Sequence, residues 1–254
     1  MNIMKAIKNI LTAAALIVMA TGLSSCYFRL NERAKAQFKN NLNYKLSGST
    51  KIDTVTFNVG EFQSISQEKS LDDLIFIQTD GEYKVKIVAY PETVDSVFVK
   101  NDDGMLKIGV NYSKTTTGPV QAWVYAPSVK TIARAGSGNI TISKYSGDTL
   151  MLVGAGSGNI KAYDLDLSGL LMVSGAGSGD HDFRRVKAEE LMILKAGSSD
   201  SEFKDINVNK VSVASIGSGD TMLSGKAESV SISKKGSGEI DTKWLKAKEI
   251  ETEE

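Results

Sequence analysis

Six short motifs, each headed by a Gly-Ser pair, recur along the second half of this chain. Their first glycines are 20, 21, 20, 20 and 19 residues apart, and eleven of the 23 glycines lie in the motifs. Twenty residues hold two strands and their turns but leave no room for a helix, so copies must stack to bury a common core. The repeat therefore predicts an all-β fold, a parallel β-solenoid with about 20 residues per coil. The corner residues are Gly136, Ser137, Gly138, Gly156, Ser157, Gly158, Gly177, Ser178, Gly179, Gly197, Ser198, Gly217, Ser218, Gly219, Gly236, Ser237 and Gly238.

Apolar columns accompany the corners and predict which side chains form the core. Four residues before each first glycine, every coil has an aliphatic residue: Ile132, Leu152, Val173, Ile193, Val213 and Ile232. Six residues before it, only Lys130 breaks an apolar column of Leu150, Leu171, Leu191, Val211 and Val230. Six residues after it, a looser column contains Ile142, Ala162, Phe183, Phe203, Leu223 and Thr242. Apolar residues two apart are typical of half-buried strands.

Polar or small residues fill the position two before each first glycine, which we expect to face solvent. The residues are Arg134, Gly154, Gly175, Lys195, Ser215 and Lys234. Each coil is therefore predicted to contain a strand, a Gly-Ser-Gly corner, a short strand and a polar return such as Lys144–Asp148.

The first 26 residues contain basic, apolar and small residues in that order. Lys5 and Lys8 precede a largely apolar run, Ile10–Leu23, which is shorter than the roughly 20 residues that span a bilayer. The run ends in Leu23-Ser24-Ser25-Cys26, which resembles a lipobox and contains the only cysteine of the chain. The resemblance implies cleavage before Cys26 and diacylglycerol on its thiol, and several acyl chains on one residue anchor a protein stably. The alternative is an ordinary cleavable signal with an incidental cysteine.

The remaining chain divides into three parts by composition. Residues 26–45 contain Cys26, the predicted site of lipidation, and a polar stretch, Tyr27–Asn43, which we interpret as a tether or short helix. Residues 46–130 alternate like strands but lack Gly-Ser-Gly corners, so they predict either irregular first coils or a small antiparallel cap. Residues 131–254 form the regular repeat. The predicted signal peptide, residues 1–25, precedes these three parts.

Several motifs together resemble a known family. The repeated Gly-Ser-Gly-Asn-Ile and Gly-Ser-Gly-Asp sequences are preceded by Phe62–Ile65, Asp103–Ile108 and Val124–Ile132. Over about residues 52–250 this pattern is similar to the auto-transporter adhesin head GIN domain, found in bacterial lipoproteins and notably in those of Bacteroidetes. The resemblance implies a right-handed β-helix. It does not by itself assign an activity, because one fold hosts many functions.

The residue after each corner is polar in all six coils, and it offers a weak candidate for a metal site. These residues are Asn139, Asn159, Asp180, Asp200, Asp220 and Glu239. Coils in register would stack the carboxylates of Asp180, Asp200 and Asp220 about 5 Å apart. Such charges repel unless they are solvated or share a cation, and calcium prefers carboxylate oxygens. We favour a solvated column that satisfies corner amides, with no metal.

Catalytic motifs are missing from the sequence. It contains no nucleophile elbow, HExxH sequence or P-loop, and its single histidine, His181, is expected on the surface. Polysaccharide lyases and glycosidases also use β-helices, but the charges in the returns do not recur as a focused cluster. These charges are Asp164, Asp166, Arg184, Arg185, Glu189 and Glu190. We therefore predict no catalytic residues and no cofactor.

The sequence as a whole predicts a cell-envelope lipoprotein, placed in the outer membrane, whose solenoid binds a protein or glycan. The formal charge is zero, and −2 without residues 1–25, which argues against a nucleic-acid partner. Expected partners are the membrane through the lipid, an unidentified protein or glycan, and a second copy through solenoid ends or edges. The alternatives are a carbohydrate-active enzyme on the same scaffold and an accessory protein of envelope assembly or stress.

Overall fold

The structure is a computed structural model that describes residues 52–68, 71–111 and 118–253. The predicted signal peptide, Cys26 and the tether lie outside these residues. The strands are β1 (Asp53–Asn58), β2 (Ser64–Gln67), β3 (Asp73–Gln78), β4 (Lys84–Ala89), β5 (Val97–Asp102), β6 (Met105–Val110), β7 (Gln121–Ala126), β8 (Thr131–Gly136), β9 (Asn139–Ile142), β10 (Tyr145–Gly147), β11 (Leu150–Gly156), β12 (Ile160–Leu167), β13 (Leu170–Gly177), β14 (His181–Gly197), β15 (Ser201–Gly217), β16 (Thr221–Lys235) and β17 (Ile240–Glu253). A short helix, α1 (Pro91–Val94), separates β4 from β5.

The repeat region is a β-solenoid of about six coils, which confirms the predicted fold. Successive coils pair in parallel with the corner glycines in register: Gly136 is aligned with Gly156, Gly156 with Gly177 and Gly177 with Gly197. The corners turn through glycine because the first glycine of each has a φ between 112° and 134°, a region that L-residues avoid.

Each regular coil has three strands, whereas the sequence pattern predicted two strands and a polar return. The first sheet contains the residues before the corner, and the second sheet contains those after it. The return is itself a third parallel sheet, in which residues 145–147 pair with 165–167 and 186–188 pair with 206–208. Its inward side chains, including Tyr145, Leu165 and Val186, are buried. The turn into it contains no glycine in three coils, where Asp164, Arg185 and Asp205 adopt φ values of 50–56°.

The predicted inner columns form the core. All six aliphatic residues four before the corner are buried, as are the five apolar ones six before it. Phe183 and Phe203 stack inside with ring centroids 4.7 Å apart and planes 13° from parallel.

The column two before the corner was expected to face solvent, and that prediction was wrong. It is buried in five of six coils, with Arg134 only 3% and Lys195 only 2% exposed. Side chains two apart along a strand share a face, so this column points inward together with the aliphatic one.

Residues 52–130 combine irregular coils with antiparallel edge strands. β2 and β3 pair in parallel with β8 and β9, and β6 and β7 pair in parallel with β2 and β3. β4, β1 and β5 then add antiparallel strands at the sheet edges. In the described ranges, no helix has the length and apolar character needed to cross a bilayer.

Candidate functional site

The polar residues after the corners form a continuous ladder on the outside of the solenoid, at the start of the second sheet. In this corner ladder, a side-chain oxygen of one coil accepts a hydrogen bond from the backbone N–H of the equivalent residue in the next coil. The oxygen to nitrogen distances are 2.7–3.0 Å for the acceptors Asn139, Asn159, Asp180, Asp200 and Asp220. Each carboxylate therefore satisfies a corner amide, which is the role that the solvated-column interpretation assigns to it.

The corner ladder also bears on the weak metal candidates Asp180, Asp200 and Asp220. Their Oδ1 atoms are directed at backbone amides rather than at one common point. Within residues 52–68, 71–111 and 118–253, no three His, Cys, Asp or Glu side chains are grouped so that they could hold a metal ion.

Replacing Asp200 by alanine should lower the free energy of unfolding by about 1 kcal/mol, because the N–H of Asp220 loses its acceptor. Asp200→Asn keeps an Oδ1 acceptor and removes the charge, so it should leave stability within about 0.5 kcal/mol of the parent. Urea denaturation of the parent and both variants measures the difference. Equal losses in the two variants would mean that the charge, not the hydrogen bond, matters at this position.

An open groove of about 590 Å³ runs along the corner ladder over the outer face of the second sheet. Its acidic side chains outnumber its basic ones, and those that line it are Asp180, Asp182, Asp200, Glu202, Asp220, Glu239 and Asp241, with Lys161 and Lys243. Three of these carboxylates pair with a cation two residues along the same strand. The pairs are Arg184 with Asp182 at 3.0 Å, Lys204 with Glu202 at 2.6 Å and Lys243 with Asp241 at 3.7 Å. The groove thus offers rows of polar groups at the strand spacing.

Beneath this groove lies His181, which the sequence placed on the surface, and that prediction was wrong. The side chain is 2% exposed, and its Nδ1 lies 2.9 Å from the hydroxyl oxygen of Ser201 in the next coil. At the equivalent inward position, the preceding coil has Ile160 and the following coil has Ser201. The pKa of His181 is lowered to about 4, first by burial and then by the positive charges of Lys195 and Arg134.

Lys195 is buried beside His181 and joins two coils. Its Nζ donates to the carbonyl oxygens of Gly219 at 3.2 Å and Asp220 at 2.5 Å, and to the hydroxyl of Thr221 at 3.0 Å. Burial lowers the pKa of Lys195, while the carboxylates of Asp200, Asp220 and Asp180 oppose this effect. All three donors of the ammonium group have acceptors, which makes its burial tolerable.

Glycines in the same column make room for the large polar side chains. A Cβ at Gly154 would lie 2.6 Å from Nη2 of Arg134, and a Cβ at Gly175 would overlap the ring of His181. Arg134 Nη1 donates to the carbonyl oxygen of Gly136 at 2.6 Å, and burial lowers the pKa of Arg134 to about 10. The sequence contained a signal for this buried column, because it lies two residues from an aliphatic column and combines large side chains with glycines and a serine.

The charges considered for an enzyme do not converge on one site. Arg185 pairs with Asp164, Lys187 with Asp166 at 3.1 Å, and Lys210 with Glu190 at 3.0 Å. The Asn209 amide donates to Glu189 at 2.7 Å. Each of these pairs joins adjacent coils on the surface. The His181 and Ser201 pair is enclosed instead, since both residues are at most 3% exposed.

Solved structures of three bacterial proteins resemble this fold. They are a "putative lipid binding protein" from Parabacteroides distasonis (20% identity, TM-score 0.62), a "putative adhesin" from Bacteroides fragilis (21%, 0.61) and a "putative adhesin" from Parabacteroides distasonis (14%, 0.54). The alignments cover 80%, 80% and 81% of this chain and 93%, 96% and 98% of those chains. At these identities the likeness shows the fold. No curated protein matches the sequence.

A family model matches the sequence directly. It is described as "Putative auto-transporter adhesin, head GIN domain", and it matches residues 61–179 and again 166–253. The two matches include both the irregular N-terminal strands and the regular coils, as the resemblance of the corner motifs predicted. The chain therefore belongs to the family of the auto-transporter adhesin head GIN domain.

Proposed function

We propose that this chain is a cell-envelope lipoprotein, anchored through Cys26, whose solenoid binds a protein or glycan without catalysing a reaction. The observation that carries the proposal is the groove beside the corner ladder. There, carboxylate and amide groups repeat in register from coil to coil on an open face. A ligand that itself repeats, such as a glycan chain or an extended peptide, can match such a surface at several points, which raises affinity through multiple weak contacts.

The arrangement of acids favours binding over hydrolysis. A glycosidase needs two carboxyl groups facing each other across a scissile bond, about 5–10 Å apart. In the groove, the carboxylates of Asp180, Asp200 and Asp220 accept hydrogen bonds from backbone amides. The second row of carboxylates is paired with cations: Asp182 with Arg184, Glu202 with Lys204 and Asp241 with Lys243. The names of the solved relatives, two adhesins and one lipid-binding protein, agree with a binding role.

A binding screen tests this function. Residues 27–254 would be presented to a glycan array and to envelope proteins, and the double variant Asp182→Ala with Glu202→Ala would be compared with the parent. Both carboxylates line the groove, so we expect affinity for the selected ligand to fall at least tenfold. The control Asp166→Ala alters a charged residue that pairs with Lys187 outside the groove lining, and it should bind like the parent. Equal weakening in the control, or no ligand from the screen, contradicts the proposal.

Replacing Cys26 by alanine in the full chain should release the protein from the membrane fraction. The substitution removes the only thiol that can accept a lipid, and hydrophobic anchoring is lost with the acyl chains. Fractionation of cells and mass analysis of the mature chain measure the outcome, with Ser25→Ala as the control, because alanine keeps a small residue before the cysteine. Retention of the cleaved Cys26→Ala protein in the membrane would refute lipidation at this residue.

A further inference from the structure

The strand β17 has one free edge in the part of the chain that the structure describes. It runs from Ile240 to Glu253 and pairs in parallel with β16 on one side, and none of the described strands pairs with its other side. The free edge presents backbone N–H and C=O groups along a strand of 14 residues. Such an edge is a template on which another strand can pair.

β17 also leaves one end of the hydrophobic core open. Ile250 is aligned with Val230 of β16, which belongs to the core. Thr252 is aligned in the same way with the core residue Ile232. Both residues of β17 therefore stand in inward columns, yet Ile250 is 46% exposed and Thr252 is exposed as well. An inward column normally continues into another coil, and here an apolar side chain of that column faces solvent instead.

The two halves of β17 have opposite charges. Three lysines are followed by three glutamates, and all six side chains are exposed: Lys243, Lys246, Lys248, Glu249, Glu251 and Glu253. Within the described residues, Lys243 pairs with Asp241 and Lys248 with Glu228 of the same chain, and no ion pair is formed by Lys246 or the three glutamates. The strand thus has a basic half and an acidic half of similar length.

A turn between the two halves keeps the charges on the outside of the coil. Leu245 and Ala247 pack inward before the turn, so Lys246 between them points outward. After the turn, Ile250 and Thr252 stand in the inward columns, so Glu251 between them points outward. The inward positions therefore change from odd to even residue numbers, and the two residues at the turn, 248 and 249, both face outward.

We propose that this chain forms a two-fold dimer through antiparallel pairing of β17 with the same strand of a second copy. With the two-fold axis between Lys248 and Glu249, Lys248 of each copy lies opposite Glu249 of the other. Lys246 of each copy then lies opposite Glu251 of the other. Opposite charges that face each other across paired strands stabilise the pairing, and like charges destabilise it. Parallel pairing of the same strands would place lysine opposite lysine and glutamate opposite glutamate.

The inward side chains match in the same register. Ala247 lies opposite Ile250 of the other copy, and Leu245 lies opposite Thr252. The exposed part of Ile250 is then covered by the open core of the second copy, and this burial removes apolar surface from water. Charge pattern and apolar pattern therefore agree on one register, which favours a second copy over an unrelated strand as the occupant of this edge.

The size of the free edge is that of a weak, reversible dimer. Fourteen residues at about 3.3 Å each give an edge of about 46 Å, and a sheet with its side chains is about 10 Å thick. Each copy would bury about 460 Å², compared with about 800 Å² on each partner of a standard interface. We therefore expect a micromolar dissociation constant. Assembly stops at two copies, because a two-fold interface uses the same surface of both.

The dimer goes beyond the binding function and does not depend on it. Each dimer has two grooves, and a repetitive ligand long enough to reach both would bind with higher avidity than it binds to one chain.

Charge reversal tests both the pairing and its register. The chain of residues 26–254 with Cys26→Ser, which removes the only thiol, is studied by sedimentation equilibrium from about 1 to 300 μM. Lys246→Glu places like charges opposite Glu251, and Glu251→Lys places like charges opposite Lys246. Each variant alone should dimerise at least tenfold more weakly than the parent. An equimolar mixture of the two variants regains both pairs of opposite charges, and its dissociation constant should lie within about threefold of that of the parent.

Two controls separate pairing from damage to the fold. Lys144→Glu reverses an exposed lysine just before β10, far along the chain from β17, and should leave dimerisation unchanged. Urea denaturation of each variant measures whether the solenoid stays folded. A strand that is merely destabilised would not recover on mixing, so recovery in the mixture supports the proposed register. A parent that is monomeric over the whole range, a mixture as weak as its components, or growth beyond two copies would each overturn the proposal.

Discussion

Lowering the pH from 6.5 to 4 is expected to destabilise the folded chain by about 3 kcal/mol, because His181 is buried in the neutral form. Its pKa is lowered from 6.5 to about 4 by burial, with Lys195 and Arg134 adding repulsion. Between these two pH values the unfolded chain takes up a proton that the folded chain resists. The free energy of unfolding therefore rises with pH through this window, and the contribution of neutral His181 to stability is lost as the pH falls toward 4.

Urea denaturation at pH 4.5, 5.5, 6.5 and 7.5 measures the effect. The pKa values of Asp102 and Asp164 are lowered from 3.8 and lie below this window, and the pKa of Arg134, about 10, lies above it. His181→Gln keeps a polar side chain within reach of Ser201 and cannot titrate, so its stability should change much less between pH 6.5 and 4.5. A parent protein with the same flat profile as His181→Gln would show that the ring is accessible to solvent.

The buried position of His181 shows where sequence reasoning succeeded and where it failed. The aliphatic columns, such as Leu152 and Ile193, were predictable because a period of two within strands and a period of about 20 between coils agree at the same residues. His181 has charged neighbours on both sides, Asp180 and Asp182, and that local context suggested a surface residue. Its column was the better signal, because stacked coils share their inward positions. Ile140 and Ile160 precede it in that column and Ser201 and Thr221 follow it, and all four are buried.

Polar residues in the interior could not be assigned from their type alone. Lys195 is inward because the carbonyl oxygens of Gly219 and Asp220 in the next coil provide acceptors, and those become visible only in three dimensions. The third sheet was missed for a different reason. The turn at Asp164 adopts a left-handed conformation without a glycine, so the sequence contained no turn signal there. The short strand that follows was therefore interpreted as part of a polar return.

The corner ladder was predictable as a set of positions but not as a set of bonds. The repeat placed Asp180, Asp200 and Asp220 in one row, and the sequence favoured a solvated column over a shared cation. Each Oδ1 accepts a hydrogen bond from the next backbone N–H, and this direction depends on the offset between coils, which the sequence does not give.

Replacing Gly197 by alanine is expected to lower the free energy of unfolding by about 3 kcal/mol. Two effects add at this corner. The φ of Gly197 is 131°, a conformation that a residue with a Cβ adopts only under strain. The new Cβ would also overlap the carbonyl oxygen of Gly177 in the preceding coil, and backbone cannot move aside as a side chain can. All six coils have glycine at this position.

Two further variants separate the strain from the overlap. Gly136 has a φ of 115°, similar to that of Gly197, but no atom lies within 4 Å of the position of a new Cβ. Gly136→Ala should therefore lower the free energy of unfolding about half as much as Gly197→Ala, on the order of 1.5 kcal/mol. Ser199 lies in the same corner as Gly197 and already has a Cβ. Ser199→Ala removes its buried hydroxyl, which has no partner among the described residues. It should leave stability unchanged or raise it by about 0.5 kcal/mol, since an unsatisfied buried polar group is unfavourable. Urea denaturation of the four proteins gives the order directly. A Gly136→Ala loss as large as that of Gly197→Ala would mean that φ alone requires glycine at the corners, and that the stacked carbonyl oxygen adds nothing.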